Sequence, residues 1–242
     1  MTTIAVVNSS TRVTTKDAKT MVRAVATQMT RHASSAFAMR PIPVVYLDDV
    51  SAAQPGMWVV NIMDDSDQAD ALGWHTEEQG DLIYGRVFAA PVLDNQGGVL
   101  DGGTSGVSVA SVLSHEVLET FADPHVNLWA DTGKGFAVAY EVCDPVESDG
   151  YTIRDRYTGE AVLVSNFVTP AWFDRSASKG DQLDWMNRVD VPFEMTSGGY
   201  MVTMREGRVK QAYGEHFPAW KRAAKEADTG RSARRLTGTE ET

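Results

Sequence analysis

The sequence predicts an α+β fold, with strands on both sides of one long central helix. The first hundred residues combine short apolar runs, which are typical of strands, with one amphipathic helical segment. The most helical stretch follows at about 105–122, and the residues after 136 are mostly extended. Strands and helices do not alternate regularly, so the pattern argues against a doubly wound parallel sheet.

Ahead of the central helix, the apolar residues of the first helical segment recur at helical spacing, and Thr14 or Thr15 can cap it. An acidic, glycine-containing segment lacks any apolar period and is expected to be a loop. The last apolar run is expected to bend at Gly85 or Pro91. The predicted elements are strands at 2–7, 41–47 and 57–63, a helix at 14–32, a loop at 64–81 and a strand pair at 82–93.

The second half is predicted to be rich in strands. A glycine-rich segment leads into the central helix, and Pro124 is expected to end it, because proline cannot continue a helix. The predicted elements that follow are strands at 136–142, 151–153 and 161–168, a hairpin at 198–213 and a short helix at 217–225. We therefore expect one domain over 1–225, with its β-rich part at about 136–215. The polar tail 226–242 is expected to be disordered.

The composition limits the classes of function. The 242 residues include 22 basic and 33 acidic side chains, a formal net charge of −11. This balance argues against a nucleic-acid binder and against docking on an anionic membrane surface. We see neither a long apolar run nor a signal-peptide pattern, so a cytoplasmic location is expected. The single cysteine, Cys143, excludes an intramolecular disulfide and a cysteine-based zinc cage.

The central helix contains a His-Glu-x-x-Glu motif formed by His115, Glu116 and Glu119. His115 and Glu119 share one helix face, so both side chains can bind one metal ion. Glu116 has the position of the general base in a His-Glu-x-x-His zinc helix. Glu119 replaces the second histidine of that motif and shifts the preference toward harder ions such as manganese or calcium. The motif predicts a zinc site, with another divalent ion as the alternative.

A third metal ligand is expected from the acidic cluster downstream of the helix. Glu141 lies 26 residues after His115, and Asp144 is then the acceptor for the free N–H of the histidine. The reverse assignment stays open, because Glu141 and Asp144 would lie on opposite faces of a strand over 139–143. Asp123 is the third candidate, but it lies about 12 Å of helical rise beyond His115. We interpret it as a helix-terminating or loop-fixing carboxylate.

These residues resemble the zincin-like metallopeptidases, in the divergent branch whose second histidine is a glutamate. The wider pattern also resembles uncharacterised proteins encoded in phages and prophages, and the resemblance covers about 57–215. The segments that carry it are Ser114-His115-Glu116, Glu119, Asp123-Pro124, Trp129, Glu141, Cys143-Asp144, Leu72-Gly73-Trp74-His75 and Val164 to Phe173.

The resemblance implies a twisted mixed sheet ahead of the metal helix, a β-rich C-terminal extension, and a zinc-dependent peptidase or amide hydrolase acting on peptides or proteins. The edge strand of that fold follows the cleft and pairs with extended substrates, and 82–93 is expected to be the edge or next-to-edge strand. The alternative is a structural phage virion or tail protein, with a structural metal or none and other virion subunits as partners. The implied site residues are Glu116 as the base and His115, Glu119, Glu141 and Asp144 at the metal.

Three further side chains lie close to these motifs in the sequence. His75 follows Trp74 in the predicted loop, and we interpret it as a surface residue, with a substrate-side or additional metal-binding residue as the alternative. His125 follows Pro124 and is interpreted as structural or exposed. Cys143 lies between two candidate ligands and is interpreted as a small buried apolar residue rather than as a ligand.

Overall fold

The protein is an α+β molecule, as predicted, and the computed structural model describes residues 2–67, 71–78, 82–178 and 180–227. Its first sheet is built from β1 (Thr3–Asn8), β2 (Val44–Leu47), β3 (Met57–Met63), β4 (Gly73–Glu78) and β5 (Leu82–Phe88). The strand order is β2-β1-β3-β5-β4. The first four strands of this order are parallel, and β4 runs antiparallel to β5 at the edge. The sheet is therefore mixed.

The first helix, α1 (Thr15–Gln28), crosses between β1 and β2. Thr14 caps it by accepting a hydrogen bond from the Asp17 N–H. The helix continues through a π-helical turn at Met29–Ala33 into the short α2 (Ser34–Ala36). The predicted helix over 14–32 is confirmed, with a slightly longer C-terminal end. Its apolar residues at helical spacing are all buried: Ala18, Met21, Val22, Val25 and Met29.

After β5 the chain forms α3 (Ala89–Asp94) and then the central helix α4 (Val109–Ala122). Ser108 and Ser111 form a reciprocal capping box at the start of α4, in which each side chain accepts a hydrogen bond from the other residue's backbone N–H. Pro124 follows the last turn, as predicted. The buried apolar side chains of α4 include Val109, Val112, Leu113, Leu118 and Phe121.

The C-terminal half is rich in strands, as predicted. It contains β6 (Trp129–Asp131), β7 (Ala137–Ala139), β8 (Gly150–Arg154), β9 (Ala161–Ser165), β10 (Tyr200–Arg205) and β11 (Arg208–Tyr213). A four-stranded sheet has the order β11-β10-β7-β6, and β8 pairs with β9. The predicted hairpin turns at Glu206 and Gly207, whose φ angles of 52° and 72° suit a two-residue turn. The last helix is α5 (Ala219–Ala227).

Three predicted elements are wrong in part. The segment 64–81, predicted as a loop, contains β4, which is polar because it is an edge strand. The segment 82–93 is β5 followed by α3, rather than two strands. Pro91 is tolerated there because the first turn of a helix leaves its backbone N–H groups without helical acceptors. The strand predicted at 136–142 ends at Ala139, where the chain leaves the sheet.

Helix α4 forms the centre of the molecule. It packs against β4 and β5 of the first sheet on one side and against β9 on the other. Of the tail predicted to be disordered over 226–242, residues from 228 onward lie outside the described residues, and 226–227 end α5. None of the helices in the described ranges has the length and apolar character needed to cross a membrane.

Candidate metal centre

Three ionisable side chains of α4 lie in the apolar interior. His115 is 8% exposed, Glu116 is 4% exposed and Glu119 is fully buried. The four-residue spacing brings His115 Nε2 to 3.1 Å from Glu119 Oε1. The two side chains therefore meet on one face of the helix, as their spacing predicts.

Asp144 lies beside this pair. It begins a 3-10 turn at Asp144–Val146 and is 1% exposed. Its Oδ1 atom lies 3.3 Å from His115 Nε2. The backbone N–H of Cys143 donates a hydrogen bond to Glu119 Oε1 at 3.3 Å, which ties the turn to the helix. The carboxylates of Glu119 and Asp144 thus both lie close to the Nε2 atom of His115.

Glu147 lies on the other side of the His115 ring, and sequence reasoning missed it. Its Oε2 atom is 3.7 Å from His115 Nδ1, and its Oε1 atom accepts a hydrogen bond from Lys221 Nζ at 2.9 Å. Lys221 comes from α5 and is 3% exposed. The spacing of Glu147 from Asp144 could have indicated that both lie near one site, because residues three apart in a 3-10 turn lie above one another.

His75 belongs to this centre, so its interpretation as a surface residue is wrong. It is 5% exposed, because β4 pairs with β5 and presses His75 against α4. Its Nδ1 atom lies 3.5 Å from Glu116 Oε2 and 3.8 Å from Glu119 Oε2. Its Nε2 atom lies 3.3 Å from the carbonyl oxygen of Asp123.

Glu141 is 2% exposed and lies on the His75 side of the centre. Ligand atoms of His75, Glu119 and Glu141 all fall within 4.8 Å of one another. The ligand atoms of His115, Glu119 and Cys143 also lie within 4.8 Å of one another. The same is true of His115, Asp144 and Glu147. Glu141 is therefore grouped with His75, and Asp144 is grouped with His115.

Cys143 is fully buried at the centre, which agrees with its interpretation as a small buried residue. Its burial and the charge of Glu119 raise the pKa of the Cys143 thiol well above its ordinary value. The neutral thiol is a weak metal ligand, because thiolate is the form that binds metals.

Asp123 and His125 have structural contacts. The Asp123 carboxylate accepts hydrogen bonds from the backbone N–H groups of Asn127 at 3.2 Å and Leu128 at 3.0 Å. This confirms its interpretation as a loop-fixing residue. The half-exposed His125 lies 2.9 Å from Glu77 Oε2.

The crowding of buried carboxylates shifts the titration of the centre. Burial by itself lowers the pKa of His115, but the charge of Glu119 and the hydrogen bond with Asp144 outweigh it and raise this pKa well above its ordinary value. Burial also lowers the pKa of His75, but the hydrogen bond with Glu116 and the charge of Glu141 outweigh burial. The pKa of His75 is therefore raised above its ordinary value. Burial and the charge of Glu141 raise the pKa of Glu119 to about 8. The centre therefore favours added positive charge.

The polar face of α4 opens into a cleft with a volume of about 60 Å³. His115, Glu116, Glu147 and Lys221 line it together with Gly73 at the start of β4. Gly73 is a second residue that sequence reasoning gave no role: a Cβ atom there would lie 2.7 Å from Glu116 Oε1. Only a glycine allows Glu116 to lie so close to the edge strand.

Comparison with models of known protein families, with curated proteins and with solved structures finds no match to this chain.

Proposed function

We propose that the protein is a metal-dependent hydrolase of peptide or amide bonds, with Glu116 as the general base. The observation that carries this proposal is the buried His-Glu-x-x-Glu face of α4. It meets Asp144 at one histidine nitrogen and opens into a cleft beside an edge strand. A buried histidine surrounded by carboxylates, at the wall of a cleft, is an arrangement typical of a metal site.

The distances from His115 Nε2 to two carboxylate oxygens fit a divalent ion. Metal bonds of about 2.0–2.1 Å in a tetrahedral site place neighbouring ligand atoms about 3.4 Å apart. Glu119 Oε1 and Asp144 Oδ1 lie 3.1 and 3.3 Å from the ring nitrogen. His115, Glu119 and Asp144 would therefore hold zinc or another divalent ion, which supplies Lewis acidity and a lowered pKa for bound water. Glu147, near His115 Nδ1, would orient the imidazole ring.

Glu116 supplies the proton chemistry in this proposal. It lines the cleft beside His115 but belongs to none of the ligand groups. From there its carboxylate takes a proton from the attacking water and returns it to the leaving nitrogen. Gly73, at the start of β4, leaves the space in which this carboxylate lies.

The edge strand β4 indicates an extended peptide as the substrate. Peptide-binding proteins commonly add the bound chain to an exposed sheet edge through backbone hydrogen bonds. Strand β4 ends the first sheet and contacts α4, and β5, within the predicted segment 82–93, is next to the edge. A mixed sheet whose edge strand contacts α4 also supports a zincin-like fold as part of this proposal.

The test compares metal content and hydrolysis in matched variants. Purified wild-type protein, Glu116→Gln, His115→Ala and the control Glu77→Gln are assayed for zinc by elemental analysis and for cleavage of a fluorescein-labelled unfolded protein. We expect zinc and cleavage in wild type and Glu77→Gln, zinc without cleavage in Glu116→Gln, and loss of both in His115→Ala. Zinc-dependent cleavage that survives Glu116→Gln would refute the assignment of the base.

The virion or tail structural protein stays a prediction, because no contact among the described residues bears on it. Its discriminating measurement is the assembly state in solution. A monomer that cleaves the labelled protein supports the hydrolase, and a symmetric oligomer without cleavage contradicts it.

A further inference from the structure

We propose that the buried centre holds two divalent cations bridged by the carboxylate of Glu119. The inference rests on the proposed function for the first ion, the one between His115 and Asp144. The second ion lies on the opposite side of Glu119, between His75 and Glu141. Both ions belong to the class bound by imidazole and carboxylate together, such as zinc or manganese.

The orientation of Glu119 is the first observation. Its Oε1 atom lies 3.1 Å from His115 Nε2, whereas its Oε2 atom lies 3.8 Å from His75 Nδ1. The two oxygens thus point at two different imidazole rings, one from α4 and one from β4. A carboxylate that presents one oxygen to each of two ions has this orientation, and such ions are typically about 3.5–4 Å apart.

The hydrogen bonding of His75 is an independent observation. Its Nε2 atom lies 3.3 Å from the backbone carbonyl oxygen of Asp123, which can only accept a hydrogen bond. When Nε2 of the neutral ring donates to this carbonyl, Nδ1 keeps its lone pair. That lone pair faces Glu119, and a histidine whose other nitrogen donates to a carbonyl is the usual form of a metal-binding imidazole.

The second position also has its own carboxylate. Glu141 is 2% exposed, and its ligand atom lies within 4.8 Å of those of His75 and Glu119. The Asp144 carboxylate lies within the same distance of His115 instead. The two carboxylates that the sequence offered as alternative third ligands thus lie on different sides of Glu119. Two ions give each of them a role.

The charge of the centre supports two ions rather than one. Its five buried carboxylates and Lys221 carry four negative charges in total when the carboxylates are ionised, with both histidines neutral. Two divalent cations neutralise that charge, whereas one ion leaves the centre to retain protons, because unbalanced charge is costly in a low-dielectric interior. The carboxylates are Glu116, Glu119, Glu141, Asp144 and Glu147.

The test measures metal stoichiometry and coupling between ions in the full chain. Protein stripped with a chelator is reloaded with Zn²⁺ and analysed for zinc per chain, and a second sample is loaded with Mn²⁺ for electron paramagnetic resonance. We expect two zinc ions per chain in wild type and in the control Glu77→Gln. We expect one in His75→Gln, Glu141→Gln and Asp144→Asn. Wild type should show the spectrum of an exchange-coupled manganese pair, which Glu119→Gln abolishes.

The possible outcomes separate this proposal from the proposed function. One zinc ion per wild-type chain, lost in Asp144→Asn and kept in Glu141→Gln, would overturn the second ion and leave the hydrolase in place. Two zinc ions per chain, with no exchange coupling in the manganese-loaded sample, would overturn the Glu119 bridge. A chain that binds neither zinc nor manganese would overturn both proposals. Thermal unfolding of each variant distinguishes the loss of an ion from the loss of the fold.

Discussion

Replacement of Gly73 by alanine tests the contact that positions Glu116. The added Cβ atom would lie 2.7 Å from Glu116 Oε1, 2.9 Å from its Cγ atom and 3.0 Å from the Arg86 carbonyl oxygen. Ordinary non-bonded contacts lie at about 3.5 Å, so the carboxylate must move by about 0.8 Å. Overpacking of this kind costs about 1–3 kcal/mol, whereas an unhindered Gly→Ala change stabilises a protein by about 0.4–1 kcal/mol.

The assay is a double-mutant cycle followed by urea unfolding. Glu116→Ala removes two of the three close contacts, so Gly73→Ala should cost less in that background by about 1–2 kcal/mol. In the otherwise wild-type chain, Gly73→Ala should keep its zinc and lose at least about tenfold in hydrolysis, since a 1 Å misplacement can cost about a hundredfold. An equal cost of Gly73→Ala in both backgrounds would show that Glu116 does not pack against the edge strand.

Three further predictions concern stability. Arg23 holds the pKa of buried Asp155 well below its ordinary value, so this stabilisation is complete above the unfolded pKa of about 3.9 and is lost as the pH falls through the folded pKa. Urea unfolding should show Asp155→Asn about 2 kcal/mol less stable at pH 7, with the difference narrowing below pH 4. Ser108→Ala removes the cap of α4 and should cost about 1 kcal/mol in thermal unfolding, with Ser108→Thr as the cap-retaining control. Lys221→Met leaves Glu147 buried without its ammonium and should cost about 3 kcal/mol in urea unfolding, part of which Glu147→Gln restores.

The elements that the sequence predicts well are those whose signal is local. The 57–63 strand is found with its predicted bounds, because both faces of a central strand are apolar. Helix α1 is found because its apolar period is long and capped. Strand β4 was missed for the opposite reason: its residues are mostly polar, and it forms through backbone pairing with β5, which leaves no periodic apolar signal.

The residues of the site can also be divided into those with a local sequence signal and those that only the tertiary fold brings together. His115 and Glu119 meet because four residues on a helix define a distance, whereas His75 joins them only through the register of β4 against β5, in which it pairs with Gly85. The choice between Glu141 and Asp144 depended on a strand over 139–143 with alternating faces. The strand ends at Ala139 and a 3-10 turn begins at Asp144, so alternation does not apply there.

The turn has a consequence for the chemistry of the centre. It places Glu141 with His75 and Asp144 with His115, while the N–H of Cys143 between them donates to Glu119. The two carboxylates that would compete for one ion therefore lie beside different histidines. Substitution of either one should then affect a different ion, a result that a single ion cannot produce.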